Sequence, residues 1–297
     1  MTSWWGHFGL REPAFGLTPD TSFFFPALPH QDAHETLLYA LSAGEGFLVV
    51  DGEVGTGKTL LLRRLLNSLP PRMQAAFVPN PGFDPRGLYA AIAIEFGLPG
   101  GGASEVLLHR LERHFITLAQ NDQHPVVLID EAQALPADTL EAVRLLTNLE
   151  TEKRKLLQVV LFGQPELMVR LGDKCTRQIL TRISFHATLR PLARKEVADY
   201  VQHRLRVAGS DRPVFTPWAM VTLWRASRGL PRLVNIIAAK SMMLAYGQGA
   251  QQVTSRQVSV AAHDTLAARK RNPIARGWMW ASLGLTSAMA AVMRVLR

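Results

Sequence analysis

Short apolar runs alternate with amphipathic stretches over the first two thirds of the chain. The runs fall at residues 46–50, 75–78, 156–162 and 183–189, and a further run, VVLID, is opened by Pro125. Each is too short for a buried helix and has the length of a buried strand. Between them, residues 31–42, the stretch LLLRRLLNSL, and residues 84–96, 106–120 and 138–149 have apolar positions at helical spacing. Strand and helix in alternation predict βαβ units and a mostly parallel sheet covered on both faces. Beyond Pro191 only the helical pattern continues, at residues 195–208, 217–228, 231–246 and 255–270. The predicted fold class is therefore α/β: a parallel five-stranded sheet sandwiched by helices, then an all-α lid domain, then a C-terminal hydrophobic helix.

The expected boundaries follow the same pattern. Residues 1–45 form an N-terminal segment and first helix, 46–190 the α/β core, 191–268 the helical lid, 269–276 a basic linker and 277–297 a hydrophobic tail. The N-terminal segment is rich in aromatics and prolines (FGLREPAFGLTPDTSFFFPALPH). The tract 277–293 carries no charge. As a helix it would reach about 25 Å, just short of a ~30 Å hydrocarbon core. Trp278 and Trp280 lie at one end, and Arg269, Lys270, Arg271 and Arg276 precede it. These features favour a membrane anchor with the rest of the chain on the cytoplasmic side, the alternative being a last helix packed on the protein itself.

Charge adds an asymmetry. Residues 1–150 hold 9 Lys and Arg against 17 Asp and Glu, whereas residues 151–297 hold 24 against 7. A basic half can meet nucleic acid, an anionic membrane face or the acidic half of a neighbouring copy, head to tail. The single cysteine, Cys175, excludes an internal disulfide framework and suits a reducing compartment. The opening MTSWWGHFGL has neither the charge nor the length of a secretory leader.

The candidate chemistry begins with GEVGTGKT, directly after the first strand and at the start of a helix. It fits G-x-x-x-x-G-K-[ST], in which backbone N–H groups and a helix N-terminus cradle phosphates. Gly52, Glu53, Val54, Gly55, Thr56, Gly57, Lys58, Thr59 and Leu60 form this candidate nucleotide loop. Lys58 is expected to reach the β- and γ-phosphates of ATP, and the Thr59 hydroxyl to bind Mg²⁺. The strand VVLID then delivers Asp130 to the edge where ligands of open α/β sheets collect. Asp130 is expected to hold Mg²⁺ through its water shell, and Glu131 to orient and deprotonate the attacking water. Gln164, after the fourth strand, is placed to touch the γ-phosphate or that water. Asn80, after the second strand, is placed to hold Glu131 unproductive until a signal arrives. For both, a plain turn residue is the competing reading. Arg232, in RGLPRLVN, can fold over the phosphates from the lid of the same chain. Arg177 and Arg182 precede the fifth strand, where one of them can reach a neighbour's γ-phosphate.

GEVGTGKT, LIDEAQAL, LLTNLETEKRKLLQVVLFGQPEL and ASRGLPRLVNI, in this order, resemble the AAA+ ATPases of the general-secretion-protein-A type. The opening FGL…PAF and the phenylalanine-rich stretch after it resemble that family's N-terminal signature, so the likeness spans about residues 5–265. It implies a P-loop AAA+ sheet with a helical lid, Gln164 as sensor 1, Arg232 as sensor 2 and an arginine finger at Arg182. The family's arginine-rich stretch is replaced here by Gln178-Ile179-Leu180-Thr181, which leaves Arg177 open as the finger. The likeness also implies a homo-oligomer, a ring or head-to-tail assembly, on the cytoplasmic side of a bacterial inner membrane. Its implied partners are the proteins of a type IV, MSHA-like pilus or a related secretion apparatus.

Three other readings stand beside this one. DEAQ also spells a helicase box, but the stretch after Pro191 is helical and cannot form a second nucleotide domain. A DNA-acting AAA+ regulator of the transposition target-selection type fits the basic half, yet no helix-turn-helix or base-stacking module is evident. A nucleotide-dependent scaffold with negligible turnover is separated by the effect of Glu131→Gln. His30 and His34 lie four apart, and His109 and His114 five apart, without the companion ligands a metal site needs.

Overall fold

The computed structural model describes residues 3–18, 20–79, 82–149, 155–173 and 176–269. Its elements in chain order are α1 (Leu28–Ser42), β1 (Phe47–Gly52), α2 (Lys58–Ser68), β2 (Met73–Val78), α3 (Pro85–Glu95), α4 (Ser104–Gln120), β3 (His124–Ile129), α5 (Ala137–Leu146), β4 (Gln158–Gly163), α6 (Glu166–Leu171) and β5 (Phe185–Leu189). The lid follows as α7 (Arg194–Val207), α8 (Pro217–Ser227), α9 (Pro231–Gly247), α10 (Ser255–His263) and α11 (Leu266–Arg269). The hydrophobic tail, the basic linker beyond Arg269, Asn80 and Cys175 lie outside the described residues. Among the described residues no helix is long and apolar enough to cross a membrane.

The five strands form one sheet in the order β2-β3-β4-β1-β5, with every pairing parallel. All their C-terminal ends therefore lie along one edge. Successive side chains leave a strand on opposite faces, so each buried strand feeds two cores. Phe47, Val49, Val127, Ile129, Val159 and Leu161 pack with α3, α4 and α5. Leu48, Val50, Val126, Leu128, Val160 and Phe162 pack with α1 and α2. The outcome is three layers, with the phosphate-loop edge left open between them.

Element ends sit where local chemistry stops the backbone. The Asp84 carboxylate accepts from the Gly87 N–H and Pro85 opens the helix, so α3 starts one residue later than the pattern predicts. The predicted continuous helix 255–270 instead breaks after His263. There the Lys240 ammonium bonds both the carboxylate and the backbone carbonyl oxygen of Asp264, and the Thr265 hydroxyl returns to Ala261 O.

The structure also divides the N-terminal segment expected as one unit with the first helix. Helix α1 packs on the α/β core, but the residues before it belong to the lid. Phe8, Leu10, Ala14, Phe15, Phe23 and Ala27 share a core with buried residues of α7, α8, α9 and α10. Phe15 meets Phe215 edge to face at 6.1 Å. The buried Arg204 guanidinium is satisfied by this strap: it donates to Ala14 O and to the Tyr200 hydroxyl, and lies 4.7 Å from the centre of the Phe23 ring. Asn235 donates to Gly16 O, and the Arg11 N–H to Ala208 O. Burial of an aromatic this complete makes Phe15→Ala costly, about 3–5 kcal/mol. A urea midpoint lowered to match is the expected result; a midpoint unchanged would show the strap to be dispensable to the lid.

Candidate functional site

The phosphate loop follows β1 because β1 is wholly buried and ends at the open edge of the sheet. Gly55 and Gly57 turn the loop at φ +85° and +102°, in the left-handed region that favours glycine. Space is as demanding as conformation at Gly55. A Cβ there would stand 2.7 Å from the Cβ of Arg232, while the Arg232 N–H donates to Gly55 O at 3.2 Å. The lid therefore rests directly on the loop, and Arg232, at the start of α9, is held over it. Gly229 allows that seat: at φ +76° it approaches Leu192 so closely that a Cβ would lie 2.1 Å from Leu192 O. Glu53 and Val54 face solvent, whereas the Thr56 hydroxyl folds inward onto Glu53 O at 2.9 Å.

Lys58 opens α2 with its ammonium buried against two carbonyl oxygens, Gly52 O at 2.7 Å and Glu53 O at 3.1 Å. Burial holds its pKa below the usual lysine value, and the charges of Glu131, Asp130, Asp51 and Glu53 oppose that shift. A cation sunk among carbonyls and turned to the loop is chemically suited to a bound phosphate. One residue on, the Thr59 hydroxyl donates to Asp130 Oδ2 at 2.7 Å, across 71 residues of sequence. Burial raises the Asp130 pKa, while the Thr59 hydroxyl and the Glu131 N–H favour its charged form. A hydroxyl and a buried carboxylate paired in this way supply hard oxygen donors, so the residues fit Mg²⁺.

Glu131 stands in the left-handed region at φ +51°, a conformation that costs a non-glycine residue about 1–3 kcal/mol. Its carboxylate Oε2 accepts from two side-chain amides, Gln133 Nε2 at 2.5 Å and Gln164 Nε2 at 3.2 Å. Gln164 is thus brought to the site, as its position after β4 predicts. In the sequence Gln133 figures only as part of DEAQ, and no spacing rule sets it apart from a turn residue. His30 is a second addition. Its Nε2–H donates to Thr56 O at 2.7 Å, and burial lowers its pKa toward the neutral ring. The sequence paired it with His34, whose Nε2 instead meets Ser68 Oγ at 3.2 Å. Beneath the loop, buried Asp51 accepts from the Thr188 hydroxyl at 2.7 Å and pairs with His186 Nε2 at 2.9 Å, tying β1 to β5.

Arg182 is not brought to this site. It precedes β5, at the opposite edge of the sheet, where its Nη1 donates to Thr147 Oγ1 at 3.3 Å. A five-residue parallel strand separates the edges by roughly 17 Å. Arg177 is exposed on the same connection, its N–H bonded to Asp173 O. Arg182 is thereby set apart from the loop of its own chain.

Comparison with known proteins agrees with this geometry. Residues 41–171 match the family described as the AAA domain. Over 279 residues the chain is 40% identical to general secretion pathway protein A of Aeromonas hydrophila, a match covering 93% of this chain and 51% of that protein. The chain spans about half the length of that curated relative. Solved structures with a similar fold include Cdc6p from Pyrobaculum aerophilum, with a TM-score of 0.64 at 23% identity over 83% of this chain and 71% of that one. The ORC1 protein of Aeropyrum pernix, solved in complex with DNA, gives 0.62 at 18% identity over 89% and 71%. At those identities the likeness is one of fold. Residues 41–171 are thus similar to an AAA domain, and the chain is related to general secretion pathway protein A.

Proposed function

We propose that this chain hydrolyses ATP as a ring or head-to-tail homo-oligomer on the cytoplasmic side of a bacterial inner membrane. Its turnover drives assembly of a type IV pilus of the MSHA kind or of a related secretion apparatus. One observation carries the enzymatic part: Lys58, Thr59, Asp130, Glu131 and Gln164 converge at one sheet edge under a lid that touches the loop at Gly55. The pathway rests on the 40% identity to general secretion pathway protein A. The membrane contact rests on the uncharged tract 277–293 and its flanking basic residues.

In this reading the loop amides and Lys58 bind the phosphates of ATP, and Arg232 closes on them from the lid. Thr59 and Asp130 would hold Mg²⁺, which supplies positive charge to the phosphate oxygens when bound. Glu131 accepts the proton of the attacking water, and Gln164 helps fix where that water sits. Arg182, facing away from its own loop, contributes to a neighbour's site.

Deleting the gene in its own host should abolish surface pili or the secreted product. Wild type should restore them and Lys58→Ala should not. Piliation and secretion both unchanged by the deletion would remove the pathway. The basic second half keeps one other reading open, a DNA-acting regulator. Binding to duplex DNA that falls steeply with salt would favour it.

A further inference from the structure

The contacts around Glu131 close into a ring that the catalytic roles above leave unexplained. Gln133 uses both ends of its amide: Nε2 donates to Glu131 Oε2 at 2.5 Å, and Oε1 accepts from the backbone N–H of Gln164 at 2.9 Å. The Gln164 side chain then donates to the same Glu131 oxygen at 3.2 Å. Three residues from two strand ends thus hold one another, and neither glutamine amide can flip without losing a bond. The turn carrying Gln133 is itself anchored. The Arg170 guanidinium, on α6, donates to Gln133 O and to Leu135 O, and the Thr176 hydroxyl caps Arg170 O at 2.5 Å.

We infer that Gln133 is a positioning residue for Glu131, locking the base's carboxylate through a closed ring with Gln164. The inference rests on Glu131 being the base that the proposed function requires. The left-handed backbone of Glu131 persists only where its surroundings fix it, and this ring supplies that constraint from the side-chain end. Because Oε2 is taken by two amides, Oε1 is the oxygen left to accept the water's proton. Among the described residues Oε1 has no hydrogen-bond partner. Base catalysis needs this kind of fixed geometry, since a carboxylate free to rotate spends little time in line with the water. Gln133 acts on the reaction only through Glu131, so its removal should alter turnover and leave nucleotide affinity alone.

The test is steady-state ATP turnover by the full chain carrying Gln133→Ala, Gln133→Met, Gln164→Ala and the double Gln133→Ala/Gln164→Ala, with Glu131→Gln run in parallel. Thermal unfolding and fluorescent ATP-analogue binding would confirm intact folding and affinity. Gln133→Ala should lower kcat tenfold or more with KM within about twofold of wild type. Gln133→Met, which keeps the volume and loses the amide, should be equally impaired. The double variant should fall little further than the worse single one, as expected when both act through one carboxylate. Turnover restored by Gln133→Met would reduce the residue to filler and overturn the inference. So would a kcat for Gln133→Ala at or above wild type, or a fall in affinity that matches the fall in rate. Wild-type turnover in Glu131→Gln would strike at the base assignment itself, and the inference would go with it.

Discussion

Glu131→Gln is expected to bind ATP with wild-type affinity and to hydrolyse it at least about 10²-fold more slowly, the lower end of what a positioned base contributes. The substitution keeps the size of the side chain and its contact with Gln133, so it removes the proton acceptor with little else. Lys58→Ala should do the reverse. It deletes the buried ammonium that Gly52 O and Glu53 O hold in the loop, and affinity itself should collapse. Equilibrium binding with a fluorescent analogue, set beside phosphate release, separates the two. A Glu131→Gln protein that turns over normally would leave a nucleotide-dependent scaffold as the better description. A Lys58→Ala protein that binds normally would mean that the phosphates lie elsewhere.

The second large effect should appear only between copies. Arg182 lies across the sheet from its own phosphate loop, so Arg182→Ala is expected to cut turnover by about 10³-fold while leaving each chain's nucleotide affinity unchanged. Mixing is the sharper measurement. Lys58→Ala chains have an intact Arg182 and a dead loop; Arg182→Ala chains have the opposite defect. Neither alone should turn over ATP, and the mixture should recover activity as the two are combined at rising concentration. Arg177→Ala chains that turn over ATP on their own, beside Arg182→Ala chains that stay silent until Lys58→Ala chains are added, would confirm Arg182 as the donor. No loss in Arg182→Ala, with turnover per chain flat across dilution, would dispose of an in-trans arginine.

The α/β layer was readable because its strands are buried on both faces. Residues 47–50 and 159–162 present continuous apolar runs with no solvent-facing alternation, and a helix could not be that short and that dry. The loop residues were readable for a different reason: their spacing is fixed by phosphate geometry, not by packing. Helix α6 was missed because six residues span under two turns, too few to show a period. Gln133 was hidden because its work is done by a side chain reaching back two positions, which no spacing rule records. The strap was the largest omission. Its aromatics follow no regular period, and the residues that bury them lie about 175 to 250 positions away, in a domain that the sequence alone shows as a separate unit.

That strap makes the lid a discontinuous body, and so sets an order on its assembly. A ribosome releases Phe8, Phe15 and Phe23 first, but their partners Tyr200, Phe215 and Val234 emerge only after the whole sheet has been made. The α/β layer can close on itself in the meantime, from strands that follow one another closely. The strap cannot, and its exposed phenylalanines wait through most of synthesis as a sticky leader. Docking then closes a loop of nearly two hundred residues, yet loop entropy grows only logarithmically. Passing through an already folded layer therefore adds only about 1–2 kcal/mol beyond a loop a quarter as long. What the arrangement lengthens is the time spent waiting, so a nascent chain stalled before α7 should be the species that chaperones hold.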